Sequence, residues 1–93
     1  GFEDKSGSVM TALYRISDTD VEAAEFILHE NTPHLGIPLK DLEIRKGFLI
    51  VALLHENQVV VPSGGTVLSP GDRVIVISHG QGIQTFRDIF LKP

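Results

Sequence analysis

Seven consecutive apolar residues, Phe48 to Leu54, constrain the fold of this sequence more than any other feature. A strand that is apolar at every position is expected to have both faces out of water. The chain has 93 residues, enough for one domain with a small core, and one helix covers only one face of a sheet. We therefore predict a homodimer, packed through the uncovered face or through a turn at Pro38 to Leu42. The alternative cover is another domain of a longer parent protein.

Turn residues separate this run from two further β-branched runs, Val59 to Val61 and Val74 to Ile77. Glu56-Asn57 lies at the spacing of a tight hairpin, and Asn tolerates the positive φ that such turns need. The sequence Ser69-Pro70-Gly71-Asp72 has Pro at the second turn position and Gly at the third, which predicts a type II turn. The three runs are therefore expected to form a small antiparallel sheet.

Two more strands are predicted in the N-terminal half. Val9 to Ile16 is mostly apolar and β-branched, and Val21 to Glu30 alternates as a half-buried strand does. The second segment also contains helix formers, but Asn31-Thr32-Pro33 ends it early, so a strand is preferred. Residues 1–8 are small and polar, and we expect a linker or cloning remnant there, with the domain at residues 9–93.

Two helical segments complete the predicted fold. Pro38 can begin a short helical turn over Pro38 to Leu42. In the last segment, Ile83, Phe86 and Phe90 recur at the spacing of one helical stripe, which predicts a C-terminal helix over Gly82 to Leu91 that covers one face of the sheet. The predicted fold class is α+β: a small, mainly antiparallel β-sheet with a C-terminal helix and a short helical turn.

Composition excludes several classes of function. A net charge of −4 with only eight Lys and Arg argues against a nucleic-acid partner. The longest apolar run is far below the ~20 residues of a membrane-spanning helix, so no direct membrane insertion of this segment is expected. The chain has no Cys, which excludes disulfide and thiolate chemistry and is typical of a cytoplasmic protein.

The sequence contains no clear catalytic or metal-binding pattern. No nucleophile, base and orienting residue stand in a known arrangement, so an enzyme is not expected. The four histidines match no familiar metal-ligand spacing. Arg45 is the one charged residue that the pattern singles out, because it lies between the short turn and the most apolar strand, where a guanidinium can hold a phosphate. A solvated surface Arg is the alternative interpretation.

Five segments occur in an order and spacing that resemble a known family: 22–26 (EAAEF), 35–42 (LGIPLKDL), 49–53 (LIVAL), 59–62 (VVVP) and 71–76 (GDRVIV). Together they resemble the TrkA C-terminal domain, the RCK C-lobe of bacterial potassium-uptake and ion-transport regulatory proteins. The resemblance runs from about Val9 to Phe90. It favours a strand at Val21 to Glu30.

The resemblance implies a cytoplasmic, non-enzymatic lobe that dimerises and passes ligand binding on to a membrane ion-translocating subunit. Some members bind cyclic di-AMP between two lobes, and by position the ligand-binding residues here would be Leu39, Arg45, Ile50 and Pro62. No cofactor is certain, and cyclic di-AMP or another nucleotide is the possible ligand. The chain has Leu49 where such members carry Asn. A purely structural dimerisation lobe, or the same lobe on a cation antiporter or anion permease, therefore stays open.

Overall fold

The computed structural model describes residues 7–92, which form one five-stranded antiparallel sheet. The strands are β1 (Ser8–Arg15), β2 (Val21–Leu28), β3 (Phe48–His55), β4 (Gln58–Val60) and β5 (Arg73–His79). Their spatial order is β1-β2-β5-β3-β4, so the last strand in the sequence lies at the centre of the sheet. Two 3₁₀ turns, Leu39–Asp41 and Arg87–Ile89, are the helical elements of the described residues. No helix in this part of the chain has the length and apolarity to cross a bilayer.

The strands and turns agree closely with the sequence patterns. The segment Val21 to Glu30, which also contains helix formers, forms the strand β2, because Ala24, Phe26 and Leu28 alternate into the core. Glu56 and Asn57 both have positive φ in the turn between β3 and β4. In the turn before β5, Gly71 has a φ of 88° and the Asp72 N–H donates to the Ser69 carbonyl. The predicted linker at residues 1–8 lies mostly outside the described residues; Ser8 is the first residue of β1.

The hydrophobic core lies between one face of the sheet and the connecting segments. Phe86 is its centre: its ring centroid lies 5.6 Å from that of Phe26 on β2 and 5.3 Å from that of Phe90. The other core members come from the buried face of the strands, from the loop before β5 and from the segment after β5: Ala24, Leu28, Ile50, Leu53, Leu68, Val74, Val76, Ile83 and Ile89.

The predicted C-terminal helix, and with it the α+β class, is wrong. Residues 82–92 contain only the 3₁₀ turn Arg87–Ile89, although the apolar side chains of the predicted stripe are buried. The backbone instead bonds to residues 43–45: the Leu91 N–H donates to the Glu43 carbonyl, and the Arg45 N–H donates to the Ile89 carbonyl. A helix of ten residues is marginal without tertiary support, and a 3₁₀ turn also brings residues three apart together. The spacing therefore identified buried residues but not a helix.

The opposite face of the sheet, called here the open face, is not covered by any described segment. The register places its side chains in three rows. The first contains Tyr14, Ala23, Ile77 and Leu49, the second Ala12, Glu25, Ile75 and Ala52, and the third Val9, Ile27, Arg73, Leu54 and Val59. Leu49 is 61% exposed and Val59 is 75% exposed. Within residues 7–92, one face of β3 therefore has no cover, as expected from its apolar sequence.

Candidate functional site

A groove lies beside the part of β3 that lacks an outer neighbour. The hairpin strand β4 pairs only with Leu53, Leu54 and His55. Residues 48–51 of β3 consequently have no strand partner on that side within the described part of the chain. The groove has a volume of about 300 Å³ and is lined by Leu39, Lys40, Ile44, Leu49, Ile50, Pro62, Ser63 and Gly64.

Backbone hydrogen bonds hold the two loop walls of this groove together. The Leu39 N–H donates to the Thr66 carbonyl at 2.9 Å, and the Lys40 N–H donates to the Gly64 carbonyl at 3.0 Å. The loop at 63–66 is itself closed, because the Thr66 N–H donates to the Ser63 carbonyl and the Thr66 hydroxyl accepts from the Ser63 N–H. The 3₁₀ turn is thus tied to the loop after β4, and the apolar lining is fixed by main-chain contacts.

Three of the four residues predicted to bind ligand meet in this groove. Leu39, Ile50 and Pro62 line it, although the first and the last are 23 positions apart in the sequence. Arg45 does not line it; its side chain is exposed and has no ion-pair or hydrogen-bond partner among residues 7–92. It directly follows Ile44, which does line the groove. A ligand role for the four residues stays a prediction.

Sequence reasoning missed several lining residues, including Lys40, Ile44 and Gly64. Ile44 forms an isolated bridge with Phe90. The two residues are 46 positions apart, so a local sequence pattern does not predict this contact. The alternation of Leu42 and Ile44 was the available signal, since it is typical of a half-buried extended segment.

A histidine–aspartate pair fixes the end of β3 to the turn before β5. His55 Nδ1 and Asp72 Oδ1 lie 2.6 Å apart, and the Asp72 side chain is only 2% exposed. The second carboxylate oxygen, Oδ2, accepts from the Ser69 N–H at 3.0 Å. The hydrogen bond to Asp72, followed by the charge of this carboxylate, raises the pKa of His55; Glu56 adds a weaker effect in the same direction.

This pair predicts a pH dependence of stability. Since the folded pKa of His55 is above its unfolded value of about 6.5, its stabilising contribution is complete below that pH and is lost as the pH rises through the folded pKa. The unfolding free energies of the wild type and His55→Gln are therefore expected to differ most at pH 5.5–6 and to converge at higher pH. Urea unfolding at several pH values measures this difference.

The control is His29→Gln, because the His29 ring makes no hydrogen bond within the described part of the chain. The unfolding free energies of His29→Gln and the wild type should not show this convergence at higher pH. A wild-type minus His55→Gln difference that stays constant from pH 5.5 to 8.5 would contradict the prediction.

The described residues contain no group of three or more His, Asp or Glu side chains placed to hold a metal ion. The groove itself is lined mostly by apolar side chains, with Lys40 in its lining and Arg45 next to the lining residue Ile44.

Residues 23–91 match the sequence profile of the TrkA-C domain, which is most of the chain. This chain belongs to the TrkA-C domain family. The family assigned from the sequence is therefore confirmed.

Three curated relatives contain a segment similar to this TrkA-C domain. It is 25% identical over 84 residues to Trk system potassium uptake protein TrkA homolog 2 of Methanosarcina mazei, covering 90% of this chain and 19% of that protein. It is 34% identical over 61 residues to Trk system potassium uptake protein TrkA of Azorhizobium caulinodans, covering 66% and 13%. It is 32% identical over 69 residues to the K(+)/H(+) antiporter NhaP2 of Shewanella sp. strain ANA-3, covering 74% and 12%. The chain thus spans less than a fifth of the length of these relatives.

Proposed function

We propose that this TrkA-C domain is a non-catalytic, cytoplasmic regulatory lobe of a potassium-transport protein. In this proposal the lobe binds a nucleotide, assembles as a homodimer, and biases a membrane ion-translocating partner. The names of the relatives support potassium transport, since two are potassium uptake proteins and one is a K(+)/H(+) antiporter. Ligand binding would act by favouring one packing of two lobes over another.

The groove beside β3 is the observation that carries the ligand proposal. Its five apolar side chains, Leu39, Ile44, Leu49, Ile50 and Pro62, offer a surface for the flat faces of a nucleobase. A volume of about 300 Å³ is at the lower end of the range for small-molecule sites. We therefore propose that each chain holds one nucleotide unit, so that a cyclic dinucleotide such as cyclic di-AMP is shared by two chains.

Arg45 is the proposed phosphate-binding residue. It is exposed, lies beside the groove residue Ile44, and has no partner among residues 7–92 that would compete for its guanidinium. A guanidinium donates two parallel hydrogen bonds to a phosphate, which makes it well suited to this role. Lys40, in the lining itself, supplies a second positive charge.

Isothermal titration of the 93-residue chain with cyclic di-AMP tests the proposal. We expect saturable binding with one cyclic dinucleotide per two chains, and no comparable binding of cytidine monophosphate. Arg45→Ala should weaken binding at least about tenfold, because hydrogen bonds to a charged group contribute about 1.5–3 kcal/mol. Arg87→Ala is the matched control, since Arg87 is exposed and lies outside the groove.

Absence of binding by cyclic di-AMP, AMP and ATP at millimolar concentration would remove the ligand part of the proposal. A lobe that dimerises without a ligand is the second candidate, and the open face favours it independently of the groove. Equal weakening by Arg45→Ala and Arg87→Ala would show that only net charge matters, and would contradict the role of Arg45.

A further inference from the structure

The open face combines exposed apolar side chains with one ion pair near its middle. Leu49, Val59 and Tyr14 are each more than 60% exposed on this face. Neighbouring apolar side chains exposed together on one face are typical of an interaction site. Ala52, Ile75 and Leu54 lie between them around a hollow of about 210 Å³, which Glu25 and Arg73 also line.

The ion pair joins the two charged residues of the open face. Arg73 Nη1 and Glu25 Oε1 lie 3.2 Å apart, and their side chains are 44% and 29% exposed. Thr11 Oγ1 also donates to Glu25 Oε1, at 2.6 Å. Within the described residues, Glu25 Oε2 and the other guanidinium N–H groups of Arg73 make no side-chain hydrogen bond. Both charged groups therefore retain capacity for an external partner.

We infer that the open face is covered by the open face of a second copy of this chain, with Glu25 of each copy paired to Arg73 of the other. The face carries one acid and one base, so a copy rotated by a two-fold axis is complementary to it. A membrane surface or a peptide of one charge sign would leave either Glu25 or Arg73 opposite a like charge. The inference rests on the homodimer in the proposed function and specifies its surface, which adjoins the groove at Leu49.

The apolar pattern of the face fits the same partner. The hollow at Ala52 can receive a side chain, and Tyr14, Leu49 and Val59 are the most exposed apolar side chains of the face. A two-fold interface uses each such contact twice, because the same patch is present on both sides. The central ion pairs would then be surrounded by apolar contacts that exclude water.

Charge reversal in separate chains tests the exchange of partners. Glu25→Arg gives a face with two positive charges, and Arg73→Glu gives a face with two negative charges. Each variant alone is expected to dimerise at least about tenfold more weakly than the wild type, because like charges then meet across the interface. An equimolar mixture of the two should form heterodimers with nearly wild-type affinity. Analytical ultracentrifugation measures the affinities, and native mass spectrometry identifies the heterodimer.

Two further variants serve as controls. Arg87→Glu and Asp88→Arg make charge reversals of the same size in the second 3₁₀ turn, away from the open face, and should dimerise like the wild type both alone and mixed.

Val59→Asp is a second test of the open face. It places a charge at a side chain that is 75% exposed, so the fold is retained, and it should abolish dimerisation at micromolar concentration.

Three results would overturn the inference: a wild-type chain that sediments at 10.2 kDa at 100 μM, single charge reversals that dimerise normally, or a mixture that shows no recovery. The outcome is separate from that of the ligand titration. Recovery of the heterodimer without any nucleotide binding would support this interface and contradict the proposed ligand. Nucleotide binding with no effect of the charge reversals would contradict this interface and leave the groove intact.

Discussion

Phe86→Ala is expected to lower the unfolding free energy by about 3–5 kcal/mol, the usual cost of truncating a fully buried Phe. The Phe86 side chain has no exposed surface and contacts both Phe26 and Phe90. It also anchors the C-terminal segment, whose regular structure among the described residues is the single 3₁₀ turn Arg87–Ile89. A domain of this size has about 5–15 kcal/mol of stability in total. Urea unfolding of the variant and of the wild type measures this loss, which is a large fraction of that total.

Leu91→Ala is the control for this variant. Leu91 is in the same segment, but 58% of it is exposed, so its truncation should change stability by at most about 0.5 kcal/mol. A loss below about 1 kcal/mol for Phe86→Ala would mean that the C-terminal segment does not complete the core.

The second large effect is expected at Gly47, just before β3. Its φ is +94°, which costs an L-amino acid about 1–2 kcal/mol. A Cβ there would also lie 2.9 Å from the His79 carbonyl oxygen and 2.9 Å from Gln81 Nε2. His79 is the last residue of β5, and its N–H donates to the Gly47 carbonyl. The His79 carbonyl therefore cannot move away freely from a Cβ at position 47. Gly47→Ala should therefore cost about 2–4 kcal/mol, the strain and the overlap together.

Gly65→Ala is the matched control, because no heavy atom lies within 4 Å of a Cβ at that position and its φ is not in the left-handed region. Its effect should be near zero or slightly stabilising, since Ala reduces the entropy of the unfolded chain. Thermal unfolding of both variants measures the difference. If the two variants melt at the same temperature, the close approach of Gly47 to the His79 carbonyl at the end of β5 is contradicted.

The sequence predicted the strands well because their signal is local. Alternation in β2 and the turn residues at Glu56-Asn57 and at Pro70-Gly71 each depend on neighbours within a few positions. The C-terminal segment failed for the opposite reason. Its backbone is held by residues 43–45, more than 40 positions away, and the same spacing of buried residues is compatible with a helix or with an irregular chain that contains a 3₁₀ turn.

The candidate site was predicted only in part, and through family resemblance more than through pattern. Leu39, Ile50 and Pro62 were placed in one groove by position, whereas Arg45 lies outside its lining. The His55–Asp72 pair was not predicted. The sequence around Asp72 predicts only a turn residue, because its proximity to His55 results from the pairing of β3 with β5. The Glu25–Arg73 pair likewise requires the register of two strands that are 48 positions apart.

The central position of β5 has a consequence for how the chain acquires its structure. The hairpins β1–β2 and β3–β4 can each form from neighbouring residues, but nothing in the sheet joins one hairpin to the other until residues 73–79 pair with both. Pairing at such sequence separation closes long loops and is slow compared with the formation of a hairpin. During synthesis on the ribosome, the two hairpins therefore cannot join into one sheet until β5 has been made. Loss of β5 from the folded sheet should in turn unfold the domain cooperatively.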